Sequence, residues 1–118
     1  MVEILKPDFE FTDERGKLVQ LVREGYKQVN VVHSKADTFR GGHCHEQNKE
    51  TFYIIEGSCK LTARKDGIEE QYTFGAGDMF AIEALVYHDF HYLTDTLLVA
   101  MYDNGIELEN GTKDIVAE

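Results

Sequence analysis

A chain of 118 residues that is 42% hydrophobic suits one domain with its own core and is too apolar for a disordered segment. Its net charge of −10 repels phosphate backbones and argues against nucleic acid as a partner. No apolar run reaches the roughly 18 residues of a membrane span, and MVEILKPDFE lacks the basic-then-apolar pattern of a secretory signal, so a cytoplasmic protein without a membrane partner is expected.

No long stripe of 3.6-residue period with caps is visible. Short runs rich in Val, Ile, Tyr, Phe and Thr, separated by turn residues, predict strands instead. In chain order these are KLVQLV (17–22), QVNVVHS (28–34), ETFYIIEG (50–57) and CKLTARK (59–65). Asp66–Gly67 reads as a tight hairpin turn into IEEQYTF (68–74). The turn GAGD (75–78) leads to MFAI (79–82), then HDFHYL (88–93) and TLLVAMY (96–102). The polar tail 103–118 is expected to fray or to dock on a partner. Short strands at even spacing predict an all-β sandwich or barrel. Without a linker or repeat, residues 1–118 form a single domain, its core about 40–102. Cys44 and Cys59 are expected to be free thiols, and no cysteine pair has zinc-site spacing.

The chemistry concentrates in RGGHCHEQNKETFYIIEG (40–57). Side chains alternate faces along a strand, so His43 and His45 share one face and Cys44 takes the other. Glu50 opens the next strand, and antiparallel pairing of the two strands would bring it within reach. Two imidazoles and a carboxylate on one face suit Fe, Mn, Ni, Zn or Co, and His88 is a candidate third imidazole. Against this, two histidines at i and i+2 in a strand are more often surface residues. His91 should point away from His88, Cys44 should be buried between the sheets, Cys59 should lie in the core, and His33 is read as structural.

These residues resemble the cupins. The first cupin motif, G-x5-H-x-H-x3-4-E-x6-G, is matched by His43-x-His45-x4-Glu50-x6-Gly57, with the leading glycine displaced. Gly77, Asp78, Ile82 and His88 follow the second motif, whose proline, glycine and asparagine are absent. The resemblance covers residues 40 to 92 and implies an all-β, single-domain cupin jelly-roll barrel. It implies a divalent metal (Zn, Mn, Fe or Ni) held by His43, His45, Glu50 and His88, and a homodimer through outer strands.

A narrower resemblance, carried by DERGKLVQL (13–21), RGGHCH (40–45), EGSCKL (56–61) and YHDF (87–90), is to the dTDP-sugar 3,4-ketoisomerases. It implies that His43 and His45 are acid–base residues without a required metal, that Arg40 meets a phosphate or sugar, and that the substrate is a sugar or nucleotide sugar. Tyr87 is the candidate aromatic substrate contact. Glu50 stands where that family is expected to have glutamine, and a carboxylate there completes a metal set. Three readings follow: a sugar isomerase or epimerase, a non-haem metal oxygenase, and a ligand-binding barrel without catalysis.

Overall fold

The computed structural model describes residues 1–118. Twelve strands and no helix make up the fold. In chain order they are β1 (Val2–Leu5), β2 (Phe9–Asp13), β3 (Gly16–Gln20), β4 (Gln28–Ser34), β5 (Thr38–Cys44), β6 (Glu50–Glu56), β7 (Ser58–Lys65), β8 (Ile68–Gly75), β9 (Met79–Ile82), β10 (Tyr87–Tyr92), β11 (Thr96–Tyr102) and β12 (Val116–Ala117). One five-stranded sheet has the order β1-β9-β6-β11-β4, and the second has β12-β5-β10-β7-β8. Every pairing is antiparallel, and β2 with β3 forms a separate ribbon. This is the expected jelly-roll barrel.

Period-two alternation builds the core. Phe52 and Ile54 on β6, Leu61 and Ala63 on β7, Phe80 and Ile82 on β9, Phe90 and Tyr92 on β10, and Leu98 and Ala100 on β11 all turn inward. Each fully buried Leu, Ile or Phe contributes about 1.5–3 kcal/mol. Phe74 stacks on Phe80 with ring centroids 3.9 Å apart, closing one end of the core. The outer face of the first sheet is also apolar. Tyr53, Met79 and Met101 form a second small cluster there, covered by Val19, Leu21, Val22 and Tyr26.

Three expectations are corrected. Strands β5 and β6 do not pair; they lie in different sheets, so Glu50 meets the histidines across the barrel interior. The tail does not fray but docks on its own barrel: β12 pairs with β5, setting Val116 opposite Cys44 and Ala117 opposite His43. Cys44 is buried as expected, but under this tail strand rather than between the sheets. Both cysteines are free.

Candidate active site

Two glycines on β5 decide which side chains enter the barrel. From Arg40, strict alternation would send Gly42 and Cys44 inward. The ladder to β10 instead pairs Phe90 with Arg40, Asp89 with Gly41 and His88 with His43, leaving Gly42 without an opposite residue. This bulge turns both Arg40 and His43 toward the cavity. Gly41 (φ 117°) and Gly42 (φ 72°) have backbones that L side chains rarely adopt. A Cβ at Gly41 would also lie 2.4 Å from the His88 carbonyl oxygen.

The cavity has a volume of about 180 Å³. Arg40, His43, Glu50, His88 and Tyr102 give it a polar wall; Val32, Phe52, Phe90, Leu98 and Ala100 give it an apolar one. The His43 ring centroid is 4.8 Å from that of His88 and 4.9 Å from that of His45. His45 lies behind Glu50, with its Nε2 3.1 Å from Glu50 Oε1, and both residues are buried. The same carboxylate oxygen is 3.6 Å from His88 Nε2.

Hydrogen bonds assign the ring protons. His45 Nδ1 donates to the Asp114 carbonyl at 2.7 Å, and His88 Nδ1 donates to the Val86 carbonyl at 3.0 Å. A carbonyl only accepts, so Nδ1 is protonated in both rings. A neutral His88 therefore offers its Nε2 lone pair to the site. In His45 a second proton, on Nε2, is welcomed by Glu50. Burial holds the pKa of His43 below its ordinary value, and the neighbouring His45 adds to this. Burial likewise lowers that of His88. Burial also opposes charge on His45, but the hydrogen bonds to Glu50 and Asp114 together outweigh it and raise the pKa. Burial and the adjacent Glu50 push the Tyr102 phenol far above the usual tyrosine range. The site thus favours the neutral form of His43 and His88 and the charged form of His45.

The donor set also fits a metal. The ligand atoms of His43, His45 and His88 lie within 4.8 Å of one another. Tetrahedral donors around one ion are roughly 3.3–3.4 Å apart, so the rings would have to draw in by up to about 1.4 Å to converge on it. The backbone carbonyls that hold His45 and His88 by Nδ1 are the outer partners such ligands use. Glu50 touches two of the three rings and would be the fourth donor. Binding would require His45 to give up its Nε2 proton.

The structure brings together His43, His45, Glu50 and His88. It places Arg40 on the cavity wall, held by Ser34 Oγ at 2.8 Å and the His33 carbonyl at 3.1 Å. Neither Asp37 nor Glu46 pairs with it. Tyr87 is not at the site. It precedes the inward-facing His88 and so points to the other side of β10, beside Arg64 and Glu118. His91 also points outward and stacks on Phe39 at 4.4 Å. Sequence reasoning missed Tyr102, although Leu98, Ala100 and Tyr102 alternate along one predicted strand and mark a single face.

A family model described as polysaccharide biosynthesis C-terminal domain matches residues 11–110. The chain belongs to that family. No curated protein matches the sequence. Among solved structures, a 3,4-ketoisomerase from Helicobacter canadensis superposes with a TM-score of 0.83 at 18% identity, covering 99% of this chain and 90% of that one. A TDP-quinovose 3,4-ketoisomerase from Campylobacter jejuni gives 0.84 at 15% identity, covering 99% and 92%. A dTDP-4-dehydrorhamnose 3,5-epimerase from Sulfolobus tokodaii gives 0.73 at 19% identity, covering 86% and 69%. At these identities the likeness establishes a shared cupin jelly-roll fold.

Proposed function

We propose that the chain is a sugar isomerase or epimerase acting on a keto sugar, most naturally one linked to a nucleotide. The observation that carries this is His43, held neutral on the cavity wall beside the His45–Glu50 pair. Isomerisation of a keto sugar takes a proton from the carbon beside the ketone to give an enediolate, passes the hydroxyl proton from one oxygen to the other, and returns a proton at the former carbonyl carbon; epimerisation returns it to the same carbon from the other face. His43 is the base for the first step. The His45–Glu50 pair is the acid for the second, with Glu50 as its cavity-facing end. A divalent ion held by His43, His45, Glu50 and His88 would instead supply Lewis-acid polarisation of the sugar oxygens, and with their lone pairs on the ion His43 and His45 would not serve as base and acid.

The cavity is smaller than the roughly 300–1,000 Å³ that encloses a drug-sized ligand. It admits a sugar ring and leaves a nucleotide outside, where Arg40 would meet its phosphates. The structural neighbours support this substrate class: one from Thermoanaerobacterium thermosaccharolyticum is a 3,4-ketoisomerase in complex with TDP-4-keto-6-deoxyglucose. A homodimer is part of the proposal, supported by exposed Val29 and Val31 on edge strand β4 and exposed Phe9, Phe11 and Leu18 on the β2–β3 ribbon.

The test is anaerobic incubation with TDP-4-keto-6-deoxyglucose in deuterated water, followed by NMR. Deuterium incorporation beside the ketone with formation of the 3-keto isomer or an epimer is the expected result, and His43→Asn should abolish it. No exchange into any 4-keto nucleotide sugar would sink the reading. Metal-dependent oxygen uptake would then favour the oxygenase, which the three-imidazole cluster also suits.

A further inference from the structure

The turn joining His45 to Glu50 is exposed at Glu46 and Gln47 yet rests on a buried polar network. Its centre is Asp114, 4% exposed, with Asn48, 1% exposed. One Asp114 carboxylate oxygen accepts the Glu46 N–H at 2.9 Å. The other accepts the Gln47 N–H at 2.9 Å and Asn48 Nδ2 at 2.7 Å. Asn48 in turn ties the turn to the exit of β11: its Oδ1 accepts the N–H groups of Asn104 and Gly105, both at 2.9 Å, and its Nδ2 also donates to the Gly105 carbonyl at 2.8 Å. The backbone carbonyl of the same Asp114 accepts His45 Nδ1 at 2.7 Å. One residue therefore grips the turn with its side chain and the imidazole with its main chain.

A buried carboxylate is costly unless fully hydrogen-bonded, and a turn that only connected two strands would not need one. The arrangement does something a plain turn does not. It fixes the separation of His45 from Glu50, and because a carbonyl only accepts, it keeps Nδ1 protonated and aims Nε2 at Glu50. We propose that Asp114 is a positioning residue, setting the place and orientation of the His45 ring relative to Glu50. Its effect on turnover rests on the isomerase reading; its effect on the ring does not.

The experiment uses the full chain labelled with ¹⁵N-histidine and long-range ¹⁵N–¹H correlation spectra. The wild-type chain should show a slowly exchanging Nδ1 proton on His45. Asp114→Asn places an NH₂ where the carboxylate accepted N–H groups, and should make that proton exchange freely. Lys113→Ala, an exposed neighbour, should leave it protected. In turnover, Asp114→Asn should lower kcat about 10- to 100-fold, the usual cost of losing such an outer partner, with KM unchanged. A wild-type chain without a protected His45 Nδ1 proton overturns the proposal at once, even if the variant does not fold. So does a folded Asp114→Asn chain whose ring signal and kcat match wild type. A wild-type chain inactive on every keto sugar removes the isomerase reading, and the spectra still decide the role of Asp114.

Discussion

At the residue scale, three imidazoles a few ångströms apart are driven in opposite directions. His43 and His88 lose most from burial, whereas His45 gains more from Glu50 and the Asp114 carbonyl than burial takes away. If His43 is the base, kcat/KM should be flat near neutrality and fall on the acid side, below the ordinary histidine value of about 6.5. A pH–rate profile without an acid limb would remove His43 from that role. The stability signs divide in the same way. His43 and His88, with folded pKa values below the unfolded one, contribute stability that is present above about pH 6.5 and is lost as pH falls through their folded values. His45, with its raised value, contributes stability that is full below about pH 6.5 and is lost as pH rises through its folded value. Glu50 favours the charged form of all three. Urea titrations of Glu50→Gln should therefore show the largest deficit relative to wild type near pH 5.5–6, narrowing toward pH 8.5. A constant gap would mean that Glu50 does not act through these rings.

At the element scale, the β5 bulge places the site. Gly41→Ala meets both a forbidden φ and a backbone oxygen at 2.4 Å, whereas Gly77 at φ 90° has nothing within 4 Å of a Cβ. Denaturation should show Gly41→Ala losing roughly 2–3 kcal/mol or more, against about 1 kcal/mol for Gly77→Ala. Equal losses would mean that the backbone of β10 yields easily. The contrast also marks what was legible in the sequence. Strands β4, β9 and β11 fall on their predicted bounds, because alternating or continuous apolar runs announce them. TFRGGHC has no alternation and two glycines, so β5 was recognisable only as the carrier of a motif. The facing of Arg40 was hidden too, since period two fails at a bulge. Nor does periodicity say which strand pairs with which. In a jelly roll consecutive strands often change sheets, and so Glu50 reaches His45 by crossing the barrel. The tail strand was invisible because its two residues are ordered by β5 and by Asp114 rather than by their own pattern.

At the scale of the whole molecule, apolar surface is left outside the barrel. The Cα radius of gyration is 14.6 Å and the longest axis 46 Å, against roughly 13.5 Å expected for a compact chain of this length. The ribbon β2–β3 forms its ladder only with itself, and a lone two-stranded ribbon is marginal in water. Edge strand β4, QVNVVHS, carries no lysine, arginine, acid or proline to discourage pairing, and Val29 and Val31 are 60% and 64% exposed. Beside them on the same outer face run Leu97 and Val99 of β11, through the register Leu97–His33 and Val99–Val31. With a net charge of −10, two copies repel at long range, so an interface must be both apolar and locally uncharged, and this strip is both. Light scattering at micromolar concentration should give the mass of two chains. Val31→Asp would bury a carboxylate in each copy and should give one, while circular dichroism keeps its β signature. A wild-type mass of one chain, or a Val31→Asp dimer indistinguishable from wild type, would move the contact off this face.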